Sequence, residues 1–125
     1  MNAAVNARSI AAALTDLWSP RVVAEVDDAY VKVARIQGVL DWHTHADEDE
    51  LFLVLAGELR LRMHAGDVVL REGDLYVVPK GVAHSPLAES ECLVLLVERK
   101  STLHTGSTVT AQTRSIEEQL RAFSR

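Results

Sequence analysis

The stretch Asp41-Trp42-His43-Thr44-His45-Ala46-Asp47-Glu48-Asp49-Glu50-Leu51-Phe52 decides how the chain is read. His43 and His45 are two residues apart. On an extended backbone, residues i and i+2 point to the same face, so both imidazoles can aim at one point. Glu50 follows five residues later and opens an apolar run. Imidazole nitrogens and a carboxylate oxygen together suit a borderline divalent ion such as zinc, iron, manganese or nickel. A surface histidine pair beside an acidic turn has the same appearance, so these residues leave both readings open.

A second cluster runs Gly73-Asp74-Leu75-Tyr76-Val77-Val78-Pro79-Lys80-Gly81-Val82-Ala83-His84 and ends in another histidine after a Pro-x-Gly turn. The two clusters together resemble the cupin superfamily. His43, His45, Glu50 and Gly57 carry the spacing of its first motif, and Gly73, Pro79, Gly81 and His84 that of its second. The short gap from Glu58 to Glu72 is similar to that of small single-domain cupins, the type-2 barrels that include mannose-6-phosphate isomerase-like proteins. Two departures stand out. The leading glycine, Gly38, lies one residue closer to the first histidine, which implies a shortened loop. Ala88 takes the place of an asparagine often found four residues past the last histidine. Neither touches the ligand set. The resemblance covers roughly residues 30–100. It implies an all-β double-stranded β-helix (the jelly-roll cupin barrel), to which the residue pattern adds a short helix at each end. It also implies a metal held by His43, His45, Glu50 and His84.

Such an ion, if octahedral, keeps about two positions for water or substrate. Glu48 competes with Glu50 for the carboxylate role, since the two share a face on an extended chain. The motif spacing favours Glu50. Asp47, Glu48 and Asp49 read as solvated turn residues. His64 and His104 match no motif position. Trp42, Phe52, Met63 and Tyr76 are candidate pocket walls or ordinary core.

With 125 residues, one domain is expected: a helical arm over 1–20, a barrel over 21–100 and a tail with a short helix over 101–125. The formal net charge of −5 argues against a polyanionic partner, because nucleic-acid binding needs a basic footprint. No apolar run reaches the roughly 20 residues of a membrane span, and no signal peptide is evident, so a cytoplasmic location is expected. The lone Cys92 sits in an apolar run and reads as a reduced buried thiol.

Along the chain, Ile10, Leu14, Leu17 and Trp18 form one apolar stripe and predict a helix from about Ala3 to Trp18, stopped by Ser19-Pro20. Val22–Val26 and Ala29–Ile36 read as strands around an Asp27-Asp28 turn, and Gln37-Gly38 as a break. Leu51–Ala56 and Leu59–Met63 read as two strands of a tight hairpin through Ala56-Gly57. Leu59, Leu61 and Met63 alternate with Arg60, Arg62 and His64, which gives a buried and a polar face. Glycines at 57, 66, 73 and 81 mark the turns of short strands. Glu91–Glu98 reads as a strand, 101–113 as irregular, and Ser115–Phe123 as a helix opened by a Ser115/Glu118 capping box.

Three functional readings follow from the resemblance. One is a small metalloenzyme of oxygenase or isomerase type acting on a small polar molecule. Another is a metal-dependent binding or sensor domain. The third is a structural barrel with a silent site. Apolar residues on both faces of several strands also predict a homodimer.

Overall fold

The computed structural model describes residues 3–103, 105–106 and 113–121. Seven strands dominate: β1 (Arg21–Val26), β2 (Ala29–Val39), β3 (Glu50–Ala56), β4 (Glu58–Met63), β5 (Val68–Arg71), β6 (Leu75–Val78) and β7 (His84–Arg99). Two short helices, α1 (Ala7–Ala13) and α2 (Ile116–Gln119), flank them. Every strand pairing is antiparallel. The architecture is the all-β jelly roll expected from the sequence.

The barrel is organised by β7, which at 16 residues is much longer than the predicted Glu91–Glu98. Its first turn of chain, His84–Leu87, pairs with β4, while its second half pairs with β3 on one side and β2 on the other. The predicted β3–β4 hairpin does not form. Both strands run along β7 instead, one after the other, and are not paired with each other. Gly57 is where the chain crosses. Its φ is +89°, and a Cβ there would stand 2.8 Å from the Glu91 carbonyl oxygen and 3.1 Å from Cys92 Cα. The glycine therefore lets the corner pass over the β7 backbone, rather than closing a two-residue turn.

Gln37-Gly38 does not end its strand either. β2 continues to Val39 through a register shift between Ile36 and Gly38, with Gly38 at φ +90°. This is a bulge, which re-aims the strand toward the histidine segment. Past the bulge Gly38 pairs with Ala88, so the two departures from the family pattern face one another across β2 and β7.

Inward side chains follow the strand period of two. Phe52, Val54, Leu59, Leu61, Val94 and Leu96 are buried in the barrel interior. A second cluster lies outside the sheet, where Ile10 and Ala11 of α1 cover Val23, Val33 and Leu93. Burial of each large aliphatic side chain stabilises the fold by roughly 1.5–3 kcal/mol. Cys92 is free and fully buried, and burial alone pushes its thiol up to about 11.

The N-terminal helix is shorter than predicted. Asn6 caps it by accepting a 2.9 Å hydrogen bond from Ser9 N, and it stops at Ala13, with Leu14 extended. Arg35 Nη1 donates to the Leu14 carbonyl at 3.0 Å, satisfying a helix-end acceptor. Leu17 and Trp18 leave the helical stripe to join the sheet. Trp18 N donates to Arg35 O at 3.0 Å, its indole Nε1 donates to Gln37 O at 2.9 Å, and the ring enters the barrel core. Burying an indole with its N–H satisfied outweighs one more helical turn. At the other end, the Ser115/Glu118 capping box is present, but α2 spans only Ile116–Gln119. Its predicted end at Phe123, like His104, lies outside the described residues.

Candidate metal centre

Local structure brings the two histidine motifs together. His43 and His84 form a two-way backbone bridge: each N–H donates to the other's carbonyl at 3.0 Å. Two further bonds tie the first loop to the Pro79-Lys80-Gly81 turn. Gly81 N donates to His45 O at 2.8 Å, and Lys80 N donates to Asp49 Oδ1 at 2.9 Å. Asp49 thus has a structural role that the sequence reading did not assign. Glu48 is likewise engaged, accepting from Ser101 Oγ at 2.9 Å, and stands apart from the group. From behind, Gly106 presses on the same loop. A Cβ at Gly106 would fall 2.3 Å from Thr44 O, between the two histidines.

His43, His45, Glu50 and His84 converge, each offering one ligand atom, with all four atoms within 4.8 Å of one another. All four side chains are buried. His43 Nδ1 lies 2.8 Å from Asp41 O, and His84 Nδ1 lies 3.0 Å from Val82 O. A carbonyl only accepts, so each Nδ1 carries the proton and donates. The Nε2 lone pairs are left facing inward, the outer-shell device that orients metal-binding imidazoles. His43 Nε2 and His45 Nε2 are buried without a hydrogen-bond partner. His45 Nε2 is 3.4 Å from Glu50 Oε2, and His84 Nε2 is 3.3 Å from Glu50 Oε1. Those contacts are longer than a charge-assisted hydrogen bond of about 2.7–2.9 Å. They match donors sharing one ion, which with bonds near 2.1 Å stand about 3.0–3.4 Å apart at octahedral to tetrahedral angles. The donor set therefore fits a divalent metal.

The electrostatics favour the ligand form at His43 and Glu50 and oppose it at His84. Burial lowers His43 to about 4, against smaller opposing effects of its Asp41 hydrogen bond and the Glu50 charge. Burial also pulls His84 down, but its contact with Glu50 outweighs this and the net direction is up. Burial would raise Glu50, yet contacts with Glu98, His45 and His84 hold it well below the usual carboxylate range. Glu98 moves the other way: burial and the neighbouring Glu50 charge push its carboxyl well above that range.

Three spaces lie at or near the group, one of them a hollow of about 180 Å³ over the first loop, lined by Thr44, His45, Glu48, Ser101, Leu103 and Gly106. A small cavity of about 30 Å³ is lined by Trp18, Ile36, Phe52 and Leu96 together with His43 and Glu50. It has room for a water or two and no organic ligand. An open hollow of about 530 Å³ is walled by Met63, Val68, Tyr76, Val82 and Ala83, the residue before His84; none of the four converging residues lines it. Met63 is the register partner of His84, and Tyr76 that of Phe52, whose ring lies 6.1 Å from His84. Of the four candidate walls, Met63 and Tyr76 line the larger hollow and Phe52 the small cavity. Trp42 lines none of the three: it is 41% exposed and stacks flat on His64, with ring centroids 4.7 Å apart.

Sequence reasoning missed Lys32 and Glu98, which lie buried behind Glu50. A signal existed. Lys32 shares strand parity with Ala34 and Ile36, and Glu98 with Val94 and Leu96, all core residues.

An antiparallel β-barrel with a three-histidine, one-carboxylate group inside its wall defines a metal-binding jelly-roll class. The comparisons with known proteins make this specific. Residues 29–98 match the Cupin domain family. The chain is 38% identical over 98 residues to the Bacillus subtilis protein YdbB, covering 78% of this chain and 79% of that one. It is 38% identical over 64 residues to 3-hydroxyanthranilate 3,4-dioxygenase of Bos taurus, covering 48% of this chain and 22% of the relative. The crystal structure of a cupin-2 domain containing protein from Shewanella frigidimarina superposes with a TM-score of 0.73 at 38% identity, covering 76% of this chain and 93% of that one. The chain belongs to the cupin family.

Proposed function

We propose that this cupin is a metalloenzyme of oxygenase type. It holds a divalent transition metal through His43, His45, Glu50 and His84 and acts on a small molecule that enters the larger hollow, walled by Met63 and Tyr76. The observation that carries this is the pair of buried, unpartnered Nε2 atoms aimed with Glu50 at one point. Burying unpaired polar atoms is costly, and a metal removes the cost. When bound, such an ion supplies Lewis-acid or redox chemistry at its open positions. The chain's residues do the rest. Asp41 O and Val82 O hold the imidazole tautomers. Met63, Val68, Tyr76 and Val82 exclude water from an apolar body. The Tyr76 hydroxyl and His64 are the polar side chains lining the hollow. The substrate is thus a molecule with an apolar body and an oxygen donor, rather than a uniformly polar one. The partial match to a dioxygenase supports the oxygenase choice over an isomerase. Non-catalytic binding or sensing is the second reading, favoured by a hollow with only two polar side chains.

The assembly we propose is a homodimer in the cytoplasm. Leu75 and Val77 of β6 are exposed, and in register with them Leu53 and Leu51 of β3 extend an apolar outer face that α1 leaves uncovered. Among the described residues no helix is long and apolar enough to cross a membrane.

The test is reconstitution with Fe(II), Mn(II), Ni(II) or Zn(II), elemental analysis, and a screen of small hydroxy-aromatic and oxo-acid compounds in an oxygen electrode. Oxygen uptake with one metal and one compound class supports the reading. Ligand binding without turnover under aerobic and anaerobic conditions points to the sensor instead.

A further inference from the structure

Behind Glu50 lies a set of charged side chains that the metal group does not itself require. Lys32, Glu98 and Glu50 are 0%, 2% and 2% exposed. Glu98 on β7 is the register partner of Glu50 on β3, so the two carboxyl groups share the inward face. Lys32 on β2 stands opposite Leu96, one inward position before Glu98, and its Nζ lies 2.9 Å from Glu98 Oε1. A charged rung therefore crosses three adjacent strands, from Lys32 through Glu98 to Glu50. Beyond that 2.9 Å ion pair, neither Lys32 Nζ nor either Glu98 oxygen has a hydrogen-bond partner.

Stability does not account for this arrangement. A buried ion pair recovers its desolvation cost poorly, and an apolar pair of similar volume is often as stable or more so. The inward neighbours Ala34, Val94 and Leu96 show that the surroundings accept apolar side chains. What the rung faces is the one anionic member of the metal group, Glu50, the register partner of Glu98. Glu50 has to present Oε2 toward His45 and Oε1 toward His84 at once, and this fixes the plane of its carboxylate.

We propose that Lys32 and Glu98 are positioning residues: the pair buttresses the Glu50 carboxylate from inside the barrel, holding it aimed at the metal. Lys32 braces Glu98, and Glu98 braces Glu50. The inference rests on the metal-centre reading given above and adds two residues outside both histidine motifs. Supporting partners of this kind typically set metal affinity by 10–100-fold.

The experiment is a zinc titration of metal-free protein against a chromophoric chelator, with circular dichroism and thermal midpoints recorded in parallel. Lys32→Met/Glu98→Leu should keep the β signal and weaken zinc binding by about 10–100-fold. Glu98→Gln keeps a polar group against Glu50 and should stay within about threefold of the parent. A merely structural pair moves the thermal midpoint and leaves zinc affinity alone. A double variant that folds and binds zinc within twofold of the parent overturns the inference while leaving the metal centre standing. A parent that takes up no zinc, manganese, iron or nickel overturns both. Should the double variant lose its fold, crystal structures of the zinc-free and zinc-loaded parent decide the matter. Glu50 packed against Glu98 in both supports the buttress, and Glu50 swinging out of contact on loading overturns it.

Discussion

His43 and His84 are joined through their backbones before any ion is considered, each N–H donating to the other's carbonyl at 3.0 Å. The two motifs are thus held at metal-binding distance by the sheet. Removing metal with a chelator should leave the far-ultraviolet circular dichroism of the barrel intact. Saturating metal should then raise stability by mass action, by about 2.7 kcal/mol at 100 times Kd. Loss of β structure on chelation would mean the ion, and not this bridge, organises the fold.

Any two of the three imidazoles are indispensable to the proposed centre. His43→Ala/His84→Ala should purify without stoichiometric metal, and elemental analysis checks it. Metal content equal to the parent's would remove these residues from the ligand set.

Acid should weaken the metal-free protein through His43. The unfolded chain takes up this proton near 6.5, and the folded one only at about 4. Stability is therefore full above 6.5 and is lost as the pH falls between those values, by about 3 kcal/mol in all. His84 has the opposite sign. Its raised value contributes stability below 6.5, lost as the pH climbs through the folded value. Urea unfolding at pH 7 and pH 5 should show a larger loss for the parent than for His43→Gln. Equal losses would exclude the His43 contribution. By the same directions, protons competing with metal enter at His84 well before His43.

The uncovered outer face of β3 and β6 should join two copies. Light scattering at micromolar concentration should give a dimer mass, and Leu53→Lys, set between Leu75 and Leu95 in register, should shift it to monomer. A monomeric parent would reject the assembly.

Gly57→Ala should cost about 1–3 kcal/mol, read in a denaturant melt, because an added Cβ meets β7 backbone at a positive φ. An unaltered midpoint would show that the corner has room to shift.

Much of this was legible in the sequence. The His43/His45 spacing, Glu50 and the Gly73–His84 cluster picked out the four residues that the fold brings together, and the glycine rhythm marked the strand ends. The errors have a common cause. The predicted hairpin at Ala56-Gly57, the break at Gln37-Gly38 and the short last strand all concern which strands are neighbours, and β7 pairs with β2, β3 and β4. Pairing over long separations leaves no local signal. The α1 stripe ran too far because Trp18 has the periodicity of a helix residue but is claimed by the barrel. Lys32 and Glu98 were missed because a charge within a strand reads as solvent-facing until parity with its neighbours is checked.

Gly106 lies seven residues beyond the last strand, yet it leaves no room for a Cβ against the backbone of Thr44, the residue between the first two histidines. Rigidity in the metal loop is therefore shared with a stretch of chain that belongs to neither motif. One methyl group added there would collide with the Thr44 backbone, so that the loop or the tail would have to shift. Metal affinity at the proposed centre is thus open to adjustment from the tail, where a change alters none of the four converging residues.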